Sequence, residues 1–88
     1  MEHVLRLPSP SVVRRYFVQA GAFTAEENAW RLRSQIAALG SVEVSAASSS
    51  GAPLYRVRIG PMTTAGEADR LLNRMLQIGY RDARIVID

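Results

Sequence analysis

Apolar and polar positions alternate in some stretches of this chain and recur every three to four residues in others. Segment 15–22 alternates, as expected for a strand whose successive side chains point to opposite faces of a sheet. One side of this strand carries Tyr16, Val18 and Ala20, and the other side carries Phe17, Gln19 and Gly21. Segment 54–59 alternates in the same way and is the predicted third strand. Its sides are Tyr55, Val57 and Ile59, facing the helices, and Leu54, Arg56 and Arg58, facing away.

Two amphipathic helices are predicted, one after each of these strands. In both, apolar residues recur at helical spacing and form one stripe. The stripes are Ala25, Ala29, Leu32, Ile36 and Leu39 in the first helix, and Ala68, Leu71, Leu72, Met75 and Ile78 in the second. The segments beginning at Thr24 and Thr64 match the capping box, in which a threonine hydroxyl accepts from a first-turn amide. Gly40 and Gly79 lie where a left-handed C-terminal cap is expected.

The chain also repeats itself. Residues 18–24 recur as residues 57–63, thirty-nine positions later. The same offset relates Ala29 to Ala68, Leu32 to Leu71 and Gly40 to Gly79. Each copy is a strand, a turn, a helix and a terminating glycine. Two such copies predict an α+β, ferredoxin-like β-α-β-β-α-β sandwich, in which a four-stranded antiparallel sheet carries both helices on one face.

The remaining segments complete this prediction. Segment 41–45 is the predicted second strand, 46–53 a flexible serine-rich connection, and 83–87 the fourth strand. Connection rules place the first and third strands in the centre of the sheet and the other two at its edges. Residues 1–13 contain two prolines and no clear periodicity, so they are predicted to be a linker or mobile N-terminal arm before a domain of residues 14–88.

Catalytic chemistry finds little support in the sequence. The single histidine, His3, lies in the predicted arm, and no cysteine is present. Acidic residues cluster at the predicted helix starts, where capping and the helix dipole explain them; they are Glu26, Glu27, Glu67 and Asp69. The sequence has no metal-ligand spacing and no phosphate-binding glycine loop. We therefore expect a binding domain that is not an enzyme and uses no metal or cofactor.

Charge and hydropathy limit the classes of partner that the domain is expected to bind. All eleven basic residues are arginine and the net charge is +3. This excess favours an anionic partner weakly and does not by itself indicate nucleic acid. No apolar run is long enough to span a membrane, and the N-terminus lacks the apolar core of a signal peptide. We expect no membrane contact by this domain, and any targeting segment to belong to a longer parent protein or to have been removed.

The predicted sheet face opposite the helices carries the candidate binding residues. Gln19 is unusual because β-branched or aromatic residues suit a central strand better. Its carboxamide offers donors and an acceptor that match the hydroxyl and acetamido groups of a sugar. Arg56 and Arg58 suit a carboxylate or phosphate, and Phe17 offers an apolar platform for a ring. The alternative is a solvated polar face on which these arginines pair with Glu43, at about 0.2–1 kcal/mol.

These residues together resemble the SPOR domain of bacterial envelope and cell-division proteins. The similarity covers about residues 15–87, and its motifs are specific in their order and spacing rather than singly. The matching positions are residues 16–23, 27–29 and 32, then 39–40, 55–62 and 67–68. Two departures are Met62, where the family usually has phenylalanine, and Trp30, at a normally polar helix position, which we expect to pack at a helix boundary or under the arm.

The resemblance implies a monomeric module that binds peptidoglycan glycan strands lacking stem peptides. It places the glycan-binding residues at Phe17, Gln19, Gly21, Arg56 and Arg58. Because such denuded strands accumulate where amidases split the septal wall, it also implies targeting of a larger parent protein to the division septum, in the periplasm or cell envelope.

Two other classes of function stay open from the residues alone. An RNA-recognition motif shares this topology and binds single-stranded RNA on the same sheet face, but it needs several stacked aromatics there. The predicted face has only Phe17. The third class is a structural or regulatory domain that dimerises through its sheet or binds a small metabolite.

Overall fold

The computed structural model describes residues 14–88, apart from the side chain of Ser49. The predicted N-terminal arm lies outside the described residues. The elements in chain order are β1 (Tyr16–Phe23), α1 (Glu26–Ile36), a 3-10 turn (Ala37–Leu39), β2 (Val42–Ser49), β3 (Ala52–Met62), α2 (Ala65–Gln77) and β4 (Arg84–Ile87).

The four strands form one antiparallel sheet in the order β2-β3-β1-β4. This confirms the predicted α+β, β-α-β-β-α-β architecture and its central pair, β1 and β3. The predicted strand positions follow from alternation. In each half the helix connects two strands that have one strand of the other half between them, so the two halves interlock in one sheet.

Both helices pack on the same side of the sheet around one core. Val18 and Val57 from the central strands, Ile36 from α1 and Met75 from α2 are the largest fully buried side chains. The α1 stripe is buried as predicted at Ala29, Leu32 and Ile36. The buried stripe of α2 is shorter than predicted. The helix ends at Gln77, and the next residue, Ile78, is 57% exposed.

The connection predicted at 46–53 is wrong. β2 and β3 instead continue toward each other as a long hairpin, with Ser48 opposite Pro53 and Ser49 opposite Ala52. The turn residues Ser50 and Gly51 have φ of 56° and 84°. Positive φ at both central residues is the conformation that matches the twist of paired strands. Small residues at 46–49 therefore extend the sheet, because backbone pairing rather than side-chain size sustains this ribbon.

The helix ends only partly follow the capping predictions. Thr64 caps α2 and accepts from the backbone amide of Glu67 at 3.2 Å, as predicted. The predicted Thr24 cap of α1 is wrong, because Ala25 occupies the N-cap position and no side chain bonds to the first turn there. Gly79 has φ of 109°, and Tyr80 donates its amide to the Met75 carbonyl at 3.0 Å, which closes α2 with a Schellman-type pattern.

Gly40 does not form the predicted left-handed cap. The α1 helix tightens into the 3-10 turn, and Gly40 follows it with φ of 158° and ψ of −166°, close to extended backbone. The two halves of the chain are thus alike in their strands and helices and differ in how each helix ends.

Candidate glycan-binding face

The sheet surface that faces away from the helices is called here the open face. Residues directly opposite each other in antiparallel strands share one face. The pairing therefore places a row of four side chains across β2, β3, β1 and β4: Glu43, Arg58, Gln19 and Arg84. A second row contains Ser45, Arg56 and Ala22. On the other side of the first row, Phe17 lies opposite Val86. These nine residues, with Asp88 after β4, form the part of the open face that surrounds Gln19 and Arg58.

Arg58 is held at the centre of this surface. Its Nε donates to Gln19 Oε1 at 3.4 Å, and its guanidinium carbon lies 5.6 Å from the centroid of the Phe17 ring. Its Nη1 is 3.9 Å from Asp88 Oδ1. Arg58 is only 8% exposed and Gln19 only 6%. A guanidinium stacked on an aromatic ring and bonded to an amide loses much of its rotamer freedom before any ligand arrives.

The Arg58 contact changes the role of Phe17. If exposed, this ring would be the apolar platform that the sequence suggests, but it is 5% exposed and lies under the Arg58 guanidinium. A Cβ built at Gly60 would lie 2.9 Å from Phe17 Cδ2, so the glycine leaves the space in which the ring sits. Phe17 therefore supports Arg58 from below and does not itself present a surface to a ligand.

Gly21 faces the opposite way from the prediction. A register shift lies between Gln19, which pairs with Arg58, and Gly21, which pairs with Val57. One extra residue in β1 turns the following side chains over. A Cβ at Gly21 would lie 3.1 Å from Leu32 Cδ2 of α1, on the helix side of the sheet. Ala22 takes the place on the open face instead.

Arg56 contrasts with Arg58. It is half-buried, and its Nε is a buried atom without a hydrogen-bond partner among residues 14–88. The hydroxyl of Ser45, which lies directly opposite on β2, is also buried and has no partner in this part of the chain. An unmade hydrogen bond at a buried polar atom costs about 1–3 kcal/mol. The structure therefore brings together two donors that an added acceptor would satisfy.

Sequence reasoning missed the residues that β4 contributes. Arg84 is exposed and lies directly opposite Gln19, while its neighbours Ala83 and Ile85 pack into the core. The alternation of segment 83–87 was a signal for the face of Arg84. The sequence does not show that Arg84 lies opposite Gln19, because this pairing depends on the register between two strands that are far apart in the chain.

The open face is positive and shallow. It carries three arginines, Arg56, Arg58 and Arg84, against two carboxylates, Glu43 and Asp88. Glu43 lies opposite Arg58, yet the ion pair found for Arg58 among the described residues is with Asp88. No pocket is enclosed, and no cluster of metal-ligating side chains is found, in residues 14–88. None of the described helices is long and apolar enough to cross a membrane.

Trp30 lies away from the open face, on α1. It is 47% exposed, its Nε1 donates to Glu26 Oε2 at 3.2 Å, and Arg33 lies 5.6 Å from its ring centroid. Neighbours one helical turn away thus satisfy its polar atom and cover part of its ring. Whether it also contacts the arm falls outside the described residues.

Comparison with known proteins identifies relatives of this arrangement. The family profile described as SPOR domain matches residues 13–86. The crystal structure of the RlpA SPOR domain from Pseudomonas aeruginosa is similar with a TM-score of 0.73 and 25% identity, over 81% of this chain and 96% of that one. The solution structure of the peptidoglycan binding domain of the B. subtilis cell wall lytic enzyme CwlC is similar with a TM-score of 0.68 and 33% identity, over 93% and 99% of the two chains. No curated protein sequence matches the chain.

Proposed function

The chain belongs to the SPOR domain family, and from that premise we propose that it is a non-catalytic module that binds peptidoglycan through the open face. The observation that carries the proposal is the Gln19–Arg58 pair, held at the centre of an arginine-rich surface. A peptidoglycan binding domain of 33% identity and the same fold supports the choice of ligand.

The chemistry of the open face suits glycan from which the stem peptides have been removed. Such glycan exposes a lactyl carboxylate on each muramic acid, and arginine binds carboxylates with paired, charge-assisted donors. Because Gln19 Oε1 accepts from Arg58, the Gln19 amide nitrogen is the group that it offers to a sugar or acetamido oxygen. Phe17 supports this arrangement by fixing Arg58, and Gly21 supports it by letting β1 approach α1.

An intact stem peptide would be discriminated against in two ways. The lactyl carboxylate becomes an amide and loses its charge, and the peptide adds bulk over a sheet surface that has little depth. In a parent protein of the cell envelope, preference for denuded strands would concentrate the domain at the division septum, where amidases produce them. The domain thereby acts as a localisation module for its parent.

The expected affinity for one site is modest. A shallow surface that buries little ligand area should bind with a Kd on the order of micromolar. Glycan strands repeat the same disaccharide, so rebinding along a strand would raise the apparent affinity.

Co-sedimentation with three preparations of sacculi tests the proposal. The domain is mixed with intact sacculi, amidase-treated sacculi, and sacculi whose glycan has been digested. Pelleting should increase after amidase treatment and disappear after glycan digestion. No pelleting with any preparation would refute peptidoglycan binding, and equal pelleting before and after amidase treatment would refute the preference for denuded strands.

RNA binding is the weaker alternative on this surface. Base stacking requires aromatic rings that a ligand can reach. The aromatic residue of the open face is Phe17, which is 5% exposed. Mixed-sequence RNA in the same pelleting assay is a suitable negative control.

A further inference from the structure

We infer that Arg56 and Arg84 are the carboxylate-binding arginines of the open face, and that Arg58 is a positioning residue. The inference rests on the proposed function, because it concerns the ligand contacts of that same surface. Sequence reasoning assigned carboxylate binding to Arg56 and Arg58 together. The inference keeps that role for Arg56, adds Arg84 to it, and gives Arg58 a different role.

The positioning role follows from what already surrounds Arg58. Its guanidinium already has three neighbours: Gln19 Oε1, the Phe17 ring and the Asp88 carboxylate. The Nε donor is already engaged by Gln19, and Asp88 Oδ1 lies 3.9 Å from Nη1, so a ligand carboxylate would compete with both groups. Arg58 therefore acts on the ligand through Gln19, whose carbonyl it holds so that the amide nitrogen is turned to other partners.

Arg84 is placed to bind an anion directly. It is exposed, and its position opposite Gln19 puts it on the open face at the β4 edge. The burial of Ala83 and the packing of Ile85 fix the strand so that the Arg84 side chain cannot turn to the helix side. A guanidinium carries five donors in a planar fork, and an exposed arginine can turn them toward a ligand.

Arg56 provides the second anion contact, on the other side of Gln19. Its Nε and the Ser45 hydroxyl are buried donors without partners in the described part of the chain. One carboxylate oxygen can accept from a guanidinium and a hydroxyl together. A ligand oxygen seated between Arg56 and Ser45 would accept the hydrogen bonds that these two donors do not make within the described residues.

The two contacts define the path of the glycan. Arg56 lies on β3 and Arg84 on β4, with β1 between them. Strand spacing and rise put their Cα atoms about 12 Å apart. Because Arg84 lies opposite Gln19 and Arg56 opposite Ala22, a glycan that reaches both arginines must cross β1 between Gln19 and Ala22, diagonally to the sheet strands.

The test combines arginine variants with chemically neutralised ligand. Soluble glycan chains released from amidase-treated sacculi carry free lactyl carboxylates. A matched preparation has the same carboxylates converted to N-methylamides with methylamine and a carbodiimide. Kd is measured by titration calorimetry for the wild-type domain and for Arg84→Gln, Arg56→Gln and Arg58→Gln. Arg70→Gln, which removes an exposed arginine from α2 on the helix side, is the control for net charge.

We expect Arg84→Gln and Arg56→Gln each to weaken binding to the acid chains about three- to fivefold, and to bind the neutral chains as the wild type does. Arg58→Gln should weaken binding to both preparations, because a mispositioned Gln19 loses its sugar contacts whether or not the lactyl carboxylate is charged. Arg70→Gln should change neither. Thermal unfolding of each variant verifies that it is folded.

Three results would overturn the inference. One is an Arg84→Gln variant that binds acid chains like the wild type. Another is an Arg84→Gln variant that loses affinity by the same factor for the acid and the neutral chains. The third is an Arg58→Gln loss confined to the acid chains, which would make Arg58 the carboxylate contact. A wild-type domain that binds neither preparation would instead refute the proposed function itself, so the two failures are distinguishable.

Discussion

Gln19 and Arg58 occupy equivalent positions in the two halves of the chain, thirty-nine residues apart, and contact each other across the β1–β3 pair at 3.4 Å. The internal repeat therefore brings its own two copies together at the centre of the open face. One copy supplies an amide acceptor and the other a guanidinium donor. The similarity of the halves builds the sheet, and the difference between them at this position gives the contact at the centre of the candidate site.

Gln19→Ala should abolish pelleting with amidase-treated sacculi and also destabilise the fold. The variant removes the acceptor of the buried Arg58 Nε, and leaving such a donor unpaired costs about 1–3 kcal/mol. Chemical denaturation measures the stability and co-sedimentation measures the binding. Gln35→Ala, on the exposed side of α1, is the matched control and should change neither. Unchanged binding by Gln19→Ala would remove Gln19 from the site.

Gly60→Ala should lower the free energy of unfolding by more than Gly51→Ala does. Both glycines have positive φ, 147° and 84°. Only at Gly60 does a new Cβ meet neighbours, at 2.9 Å from both Phe17 Cδ2 and the Tyr16 carbonyl oxygen. Since a backbone carbonyl cannot move aside cheaply, we expect a loss of about 2 kcal/mol or more at Gly60, against about 1 kcal/mol at Gly51. Urea denaturation compares them; equal losses would mean that backbone conformation alone matters.

Gly66→Ala should stabilise the protein. Gly66 lies in the first turn of α2, and its φ is not among the positive values. A Cβ there would have Arg70 Nη1 at 3.6 Å as its nearest contact, which is an ordinary distance. Alanine then gains helix propensity and restricts the unfolded chain, for about 0.4–1 kcal/mol. A higher Tm in a thermal scan is the expected result, and a lower one would indicate a clash that the structure does not contain.

Thr64→Ala should destabilise the domain by about 1 kcal/mol, and Thr24→Ala by much less. Thr64 accepts from the Glu67 amide at the start of α2. Thr24 precedes α1 at the equivalent place in the other half, but Ala25 is the N-cap there and no side chain caps the helix. The pair is its own control, measured by urea denaturation. Equal losses would restore the sequence prediction that both threonines are caps.

The sequence by itself determined most of the helices and strands, and it determined which side of the sheet carries the candidate binding residues. Strand alternation and helical stripes depend on neighbours a few residues away, so they are readable along the chain, and the repeat then required two β-α-β halves in one sheet. They place Gln19, Arg56 and Arg58 correctly on the side away from the helices. Local rules failed where pairing between strands outweighed side-chain preference, as in the serine-rich part of the β2–β3 hairpin.

Only the tertiary structure decided which of these side chains are exposed and which are held by their neighbours. The register between β1 and β4 brings Arg84 opposite Gln19, and one extra residue in β1 turns Gly21 toward Leu32. Arg58 covers Phe17 because the two strands lie side by side, although their residues are far apart in the chain. Register, bulges and cross-strand contacts are set by the packing of the whole sheet on its helices, and periodicity within a segment carries no information about them.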